Sequence, residues 1–248
     1  MRRHIFPAAI FCVVAGFSSA ANASTYYYVN WTSDALSSTT TGSVSGNVMT
    51  PQGNLQVTYT GDVAAWTQVN FTGNDYYSAW PLVYRNSTVS NLPSNVDIIT
   101  LSQGRPFTNT LVFSAPVVDP ILDLVSLGAP WASVSYVFSA TPVILSQGAA
   151  SFGGCATCLT VNGNTVTGTE GNGVLKFAGT FTQLSWTTIG GEAWNGFTTG
   201  VLGIGEEEPA APPRAAAATP EPATWTGLLI GAALFAARSR HRAQRRRD

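Results

Sequence analysis

Thr180-Phe181-Thr182-Gln183-Leu184-Ser185-Trp186 sets large apolar side chains against Thr, Gln and Ser, with Gly179 before it and Gly190-Gly191 soon after. That near two-residue period is the signature of a half-buried strand, because successive side chains of an extended chain point to opposite faces. Just upstream, Leu159–Val161 and Thr165–Thr167 flank Asn162-Gly163-Asn164. Asn-Gly tolerates the positive φ of a tight hairpin turn, so these two runs read as an antiparallel pair. Gly173–Ala178 and Gly196–Leu202 complete a strand-rich last third.

The same reading extends toward the amino end. Tyr26–Trp31 is an aromatic run expected to form the first strand, and Ser43–Met49 and Leu55–Tyr59 alternate around Pro51-Gln52-Gly53-Asn54. Val63–Phe71 reads as a strand entered through Gly61-Asp62; Tyr76–Tyr84 is aromatic-rich but broken by Pro81. Asp97–Leu101, Thr110–Phe113, Ile121–Leu127, Ser133–Ser139 and Val143–Leu145 are further strands, punctuated by Gly and Pro. No segment of the body sustains a 3.6-residue apolar period. The expected fold is all-β, one antiparallel sandwich or jelly roll over residues 24–205, with a barrel as the lesser alternative.

The ends of the chain have a different character. In residues 1–23, Arg2, Arg3 and His4 precede an apolar core, Ile5–Phe17, and the small-x-small triplet Ala21-Asn22-Ala23. This is the pattern of a secretory signal peptide, with cleavage expected between Ala23 and Ser24. Arg2-Arg3 has neither a Ser/Thr before it nor a Leu-Lys after it, so export through the Sec translocon is expected rather than the twin-arginine route. At the other end, residues 206–218 form an acidic, then Pro- and Ala-rich linker suited to a semi-extended tether. Pro220-Glu221-Pro222 follows, then the uncharged run Ala223–Ala237 with Trp225 near its outer end. A basic cluster over residues 238–247 includes Arg238, Arg240, Arg245, Arg246 and Arg247. A helix over Ala223–Ala237 would rise about 22 Å, short of a bilayer core of roughly 30 Å; snorkelling arginines and local thinning make up the difference. A single transmembrane helix stopped by cytoplasmic arginines is therefore expected.

That ordered triple at residues 219–248 resembles the PEP-CTERM sorting signal of bacterial exosortase substrates. The resemblance implies a transient inner-membrane anchor, recognised near Pro220-Glu221-Pro222 by an exosortase-type membrane processing enzyme, and a destination at the cell surface or in the extracellular matrix. The three residues would be recognition residues, not catalytic ones. A second likeness lies in Thr169-Glu170-Gly171-Asn172-Gly173, Gly179-Thr180-Phe181, Ser185-Trp186-Thr187 and Glu192-Ala193-Trp194-Asn195-Gly196-Phe197-Thr198. It is similar to the closing strands of β-sandwich ectodomains common among PEP-CTERM proteins and bears on fold rather than activity.

Charge and composition exclude several functions. The 248 residues carry a formal charge of −1, but the basic residues crowd the two ends. Between Ser24 and Gly205 only Arg85, Arg105 and Lys176 stand against Asp34, Asp62, Asp75, Asp97, Asp119, Asp123, Glu170 and Glu192. An acidic, lysine-poor body offers no footprint for nucleic acid. Its lack of histidine rules out a Ser-His-Asp or Cys-His nucleophile and a His-ligated metal. Cys155-Ala156-Thr157-Cys158 has no second pair and no helix after it, so in an oxidising exterior it reads as a structural disulfide rather than a redox or zinc motif.

Carboxylate chemistry is what remains. Glu170 and Glu192 are the body's only glutamates, the residue type that a glycoside hydrolase uses in pairs. Both sit beside glycines and read first as solvated loop carboxylates. Asp119-Pro120-Ile121-Leu122-Asp123 and Asp75 supply oxygens that calcium accepts, without the dense spacing of a dedicated loop. No cofactor is otherwise expected. Tyr26, Tyr27, Tyr28, Trp31, Trp66, Tyr76, Tyr77 and Trp80 crowd the first third; rings left exposed could stack on sugars, while half or more are expected to fill the core. An ice- or mineral-binding array would need regular threonines, and along the chain they are not evenly spaced. The function expected is adhesive or structural, with an extracellular polysaccharide as partner. The alternatives are a carboxylate-dependent glycosidase and a ligand-free module held permanently in the inner membrane.

Overall fold

A computed structural model describes residues 23–37, 40–94, 96–102 and 107–206. The signal core, Pro220-Glu221-Pro222 and the apolar and basic tail lie outside the described residues. The strands are β1 (Tyr27–Tyr28), β2 (Asn30–Leu36), β3 (Thr41–Thr50), β4 (Gly53–Asp62), β5 (Ile99–Leu101), β6 (Thr108–Val118), β7 (Ile121–Leu127) and β8 (Val134–Phe138). They continue with β9 (Pro142–Gln147), β10 (Leu159–Asn162), β11 (Thr165–Gly168), β12 (Gly171–Phe177), β13 (Thr180–Ile189), β14 (Asn195–Val201) and β15 (Gly203–Ile204). One short helix, α1 (Pro81–Tyr84), has proline in its first turn, where the missing N–H costs nothing.

These strands pair antiparallel in two sheets. A six-stranded sheet runs β1-β14-β7-β12-β9, with β5 also on β14. A nine-stranded sheet runs β10-β11-β8-β13-β6-β4-β3-β2, with β15 on β6. Their inner faces share one core, so the arrangement is sandwich-like. Across it Trp186 of β13 meets Phe197 of β14 edge to face at 5.3 Å, and Phe138 of β8 meets Phe177 of β12 at 4.9 Å. Tyr59 of β4 stacks on Trp186 at 5.9 Å. The alternation read in residues 180–186 is this burial: Leu184 and Trp186 point in, Gln183 is exposed, and Ser185 faces outward.

Two expectations along the chain are corrected. Tyr26–Trp31 is not one strand; it divides at Val29. Tyr27 and Tyr28 pair with Val201 and Gly200 in one sheet, and from Asn30 onward the chain pairs with β3 in the other. Val63–Phe71 is not a strand. Its only bridge is Gln68 to Ile98, and Asn70 and Phe71 adopt left-handed φ of 58° and 59°, which turns the chain. Within the aromatic-rich Tyr76–Tyr84, the break read at Pro81 is the start of α1. The irregular 63–98 stretch instead covers the outer face of the six-stranded sheet. There Tyr77, Tyr84, Val89 and Ile98 form a second apolar cluster with Ile121, Val125 and Val174. Covered on both faces, β7 is buried at every residue, which explains the near-continuous apolar run Ile121–Leu127.

Removing the central ring of the main core should be costly. Trp186→Ala is expected to lower the unfolding free energy by about 3–5 kcal/mol. It should be read as a lower urea midpoint at unchanged slope.

Candidate functional site

The structure scatters some of the residues the sequence singles out and gathers others. Cys155 and Cys158 form a disulfide, with Cα atoms 5.1 Å apart, that closes a surface loop. Asp75, Asp119 and Asp123 do not converge. Asp75 accepts from the amides of Tyr77 and Ser78, and Asp119 pairs with Lys176 at 2.7 Å while accepting from Gly179. Asp123 is buried in the second cluster, where it accepts from the Tyr28 hydroxyl at 3.1 Å. Burial pushes its carboxyl well above the usual range, and the bond from Tyr28 opposes this. Among the described residues no group of three His, Cys, Asp or Glu side chains could hold a metal.

Glu170 and Glu192 are not the solvated loop carboxylates expected. Glu170 is buried, at the left-handed φ of 66°, and takes a hydrogen bond from the Ser126 hydroxyl. Glu192 accepts from the Gly128 amide at 2.7 Å and from Asn195 Nδ2 at 2.6 Å. The amide of Ser126 donates to Asn172 Oδ1, and the Tyr136 hydroxyl donates to Asn195 Oδ1. The network ties the end of β7 to the starts of β12 and β14. Of the glycines beside the glutamates, Gly171 lies where a Cβ would fall 2.2 Å from Leu159 Cδ2, and Gly190 where one would fall 2.6 Å from the Ser133 carbonyl oxygen. A Cβ on Gly154 would fall 2.4 Å from the Glu170 carbonyl oxygen. Burial raises the Glu192 carboxyl to about 7; the bonds from Gly128 and Asn195 pull it down, and the nearby charge of Glu170 adds to the rise. Tyr76, Phe152 and Trp194 cluster nearby, with Phe152 and Trp194 centroids 4.7 Å apart.

The amino-terminal aromatics divide between core and surface. Tyr26, Tyr28, Trp31 and Tyr77 are buried, whereas Trp66 is 59% and Trp80 37% exposed, and Tyr27 and Tyr76 are half-buried. Tyr27 lines a cleft of about 400 Å³. Its lining includes the apolar Tyr27, Phe71 and Met49 and the polar Asn30, Asn47 and Asn91.

The cleft follows from the crossing between sheets. Where the chain leaves β1 for β2, Asp97 takes the amides of both Trp31, at 3.0 Å, and Phe71, at 2.8 Å. The amide of Asn70 donates to the Trp31 carbonyl and its Nδ2 to that of Thr32. These bonds hold the left-handed Asn70-Phe71 turn against β2 and leave the Phe71 ring 62% exposed. Burial raises the Asp97 carboxyl, opposed by the two amides. Also lining the cleft, Asn91 clasps Tyr26, accepting from its amide and donating to its carbonyl, both at 2.9 Å. Asn30 Oδ1 is buried without a hydrogen-bond partner among the described residues. Phe71 and Asn91 escaped the sequence reading, because nothing in a lone Phe or Asn signals which loop it will face. The expected junction residue Ser24 is tied to the body, its amide donating to Thr88 and its carbonyl accepting from Ser90.

Comparison with protein-family models, curated proteins and solved structures finds no match.

The Glu192 carboxyl gives a signed pH dependence. Its folded value, about 7, lies above its ordinary 4.5, so between those values the folded protein binds more protons than the unfolded chain. Its contribution is fully present below pH 4.5 and is lost as pH rises through 7, a loss of up to about 3 kcal/mol. Glu192→Gln keeps an acceptor for Gly128 and Asn195. It should flatten this part of the stability–pH curve and match or exceed the wild type at pH 8 in urea unfolding.

Proposed function

We propose that the chain is an exported surface or extracellular-matrix protein whose β-sandwich is adhesive or structural and binds an extracellular polysaccharide. Sorting would run through the Sec translocon and then an exosortase-type enzyme reading Pro220-Glu221-Pro222, with Ala223–Ala237 and the arginines of 238–247 as the transient inner-membrane anchor. The observation that carries the binding role is the Tyr27–Phe71 cleft. Rings stack on the C–H faces of sugars, and amide side chains donate and accept for neighbouring hydroxyls, so a lining that combines Tyr27 and Phe71 with Asn30, Asn47 and Asn91 suits a neutral glycan. No cofactor is needed for this role.

A carboxylate-dependent glycosidase is the second reading, favoured by the raised carboxyl of Glu192 and by the charge of Glu170 nearby. Against it, each glutamate already braces the fold: Glu170 bonds Ser126, and Glu192 bonds Gly128 and Asn195. Unchanged turnover by Glu192→Gln on a polysaccharide panel, or no turnover by the wild type, removes this reading.

Two measurements test the proposal. Intact mass of the protein from its own envelope should begin at Ser24 and end near Pro220-Glu221-Pro222 in outer-surface or released material. A mass running to Asp248 in the inner membrane defeats the sorting reading and favours a permanently anchored module. Separately, Phe71→Ala should weaken binding to neutral oligosaccharides on a glycan array by about tenfold, the loss of one stacked ring, at unchanged melting temperature. A wild-type protein that binds nothing on the array defeats the binding role.

A further inference from the structure

The register of the nine-stranded sheet assembles something the chain order hides. Ser43, Thr60, Thr110 and Ser185 are successive partners across β3, β4, β6 and β13, forming one outward-facing row of hydroxyls. On one side lies Ser45-Thr58-Val112-Gln183, and on the other Thr108-Thr187-Val137-Thr165, which reaches β11. Neighbours within a row stand about 4.8 Å apart, and rows about 7 Å apart, two residues along each strand. None of these side chains is charged, although the body as a whole is acidic. The hydroxyls of Thr58, Thr60, Thr110 and Thr187 make no hydrogen bond within the described residues. From β3 to β10 the strand order gives this face a width of about 29 Å.

We propose that this face is a docking surface for an extended, uncharged polysaccharide; the proposal rests on the sugar-binding reading of the cleft and adds where the rest of the polymer lies. Charge selects the partner class. Among the described residues of these rows an acidic polymer would find no cation to pair with, whereas a neutral polyol exchanges water for a lattice of donors and acceptors without desolvating a fixed charge. A second copy of this chain fits poorly, because stable protein interfaces centre on clustered apolar side chains. The exposed Val112 and Ile189 stand on different rows here. The face is also continuous with the cleft. Beside Ser45, the next outward residue of β3 is Asn47, which lines both the cleft and a shallow depression of about 220 Å³ on the sheet.

The test uses the full chain in detergent and two variants. The triple variant Thr60→Val/Thr110→Val/Thr187→Val removes hydroxyls while keeping shape and strand preference, and Thr110→Lys places a charge in the central row. Retention is measured on cellulose, chitin, xylan and mannan, with polygalacturonate as the acidic control, and cleft binding is followed with short soluble oligosaccharides of the same sugars. The expected result is wild-type retention on at least one neutral polymer and not on polygalacturonate. The triple variant should retain about tenfold or more weakly, Thr110→Lys should also weaken, and oligosaccharide binding and melting temperature should be unchanged in both. Three outcomes overturn the face alone while leaving the cleft reading standing: polymer retention unaltered in both variants, equal retention on polygalacturonate, or hydroxyl removal that shifts self-association in sedimentation velocity instead. A wild type that binds neither polymer nor oligosaccharide overturns both readings.

Discussion

The contact between Trp186 and Phe197, one ring from each sheet, is where the two layers commit to a single interior. A ring of that size buried between strands fixes which face of β13 points inward, and the two-residue period then fixes the rest of the strand. Pairing carries the choice sideways. Once Leu184 and Trp186 are inside, their partners on β6 and β8 are too, as are Tyr59 on β4 and Val44 on β3. The outward face is therefore the complement of an aromatic core, and its composition is a consequence of packing as much as of any demand from solvent.

The six-stranded sheet is constrained differently. Its second face is sealed by a stretch with almost no regular structure, and polar groups are trapped beneath it. Asp123 sits there with Tyr28, and among the described residues Asp123 Oδ1, the Tyr77 hydroxyl and Thr198 Oγ1 have no hydrogen-bond partner. A charge left in such a place would be very costly, and burial accordingly pushes the Asp123 carboxyl well above its usual range, opposed by the bond from Tyr28. At the sheet's end Ser126, Glu170, Asn172, Glu192 and Asn195 use the opposite device, bonding one another to brace three strand ends. Much of the body's acidity is thus spent inside: Asp62, Asp97, Asp123 and Glu170 are all buried.

How much of this could be read from the chain follows from which interactions are local. The hairpin at Asn162-Gly163-Asn164 and the alternation of residues 43–59 and 180–186 were legible, because turn chemistry and a two-residue period are written into neighbouring residues. The break at Val29 was not, since it depends on which distant strand each side of the break meets. The 63–71 stretch has strand-like composition, yet Asp97 captures the Phe71 amide and the turn wins. The glutamates misled in the same way: flanking glycines suggested exposure, but the carboxylates meet Ser126, Gly128 and Asn195, partners distant in sequence or hidden by the turn. Threonines that look irregular along the chain fall into rows only after strand register brings residues 43, 60, 110 and 185 side by side.

The pairing of Tyr27 with Val201 has a temporal side. β1 has a single strand neighbour, β14, almost the whole body away along the chain, and β15 at the end returns to β6. A chain that emerges amino end first holds its opening tyrosines without a partner until residues 200 and 201 follow. Closure of such long loops is slow, because loop entropy is lost before the contacts that reward it are made. The body therefore cannot complete its first sheet early. Its unpaired strands are open to wrong partners for the same interval.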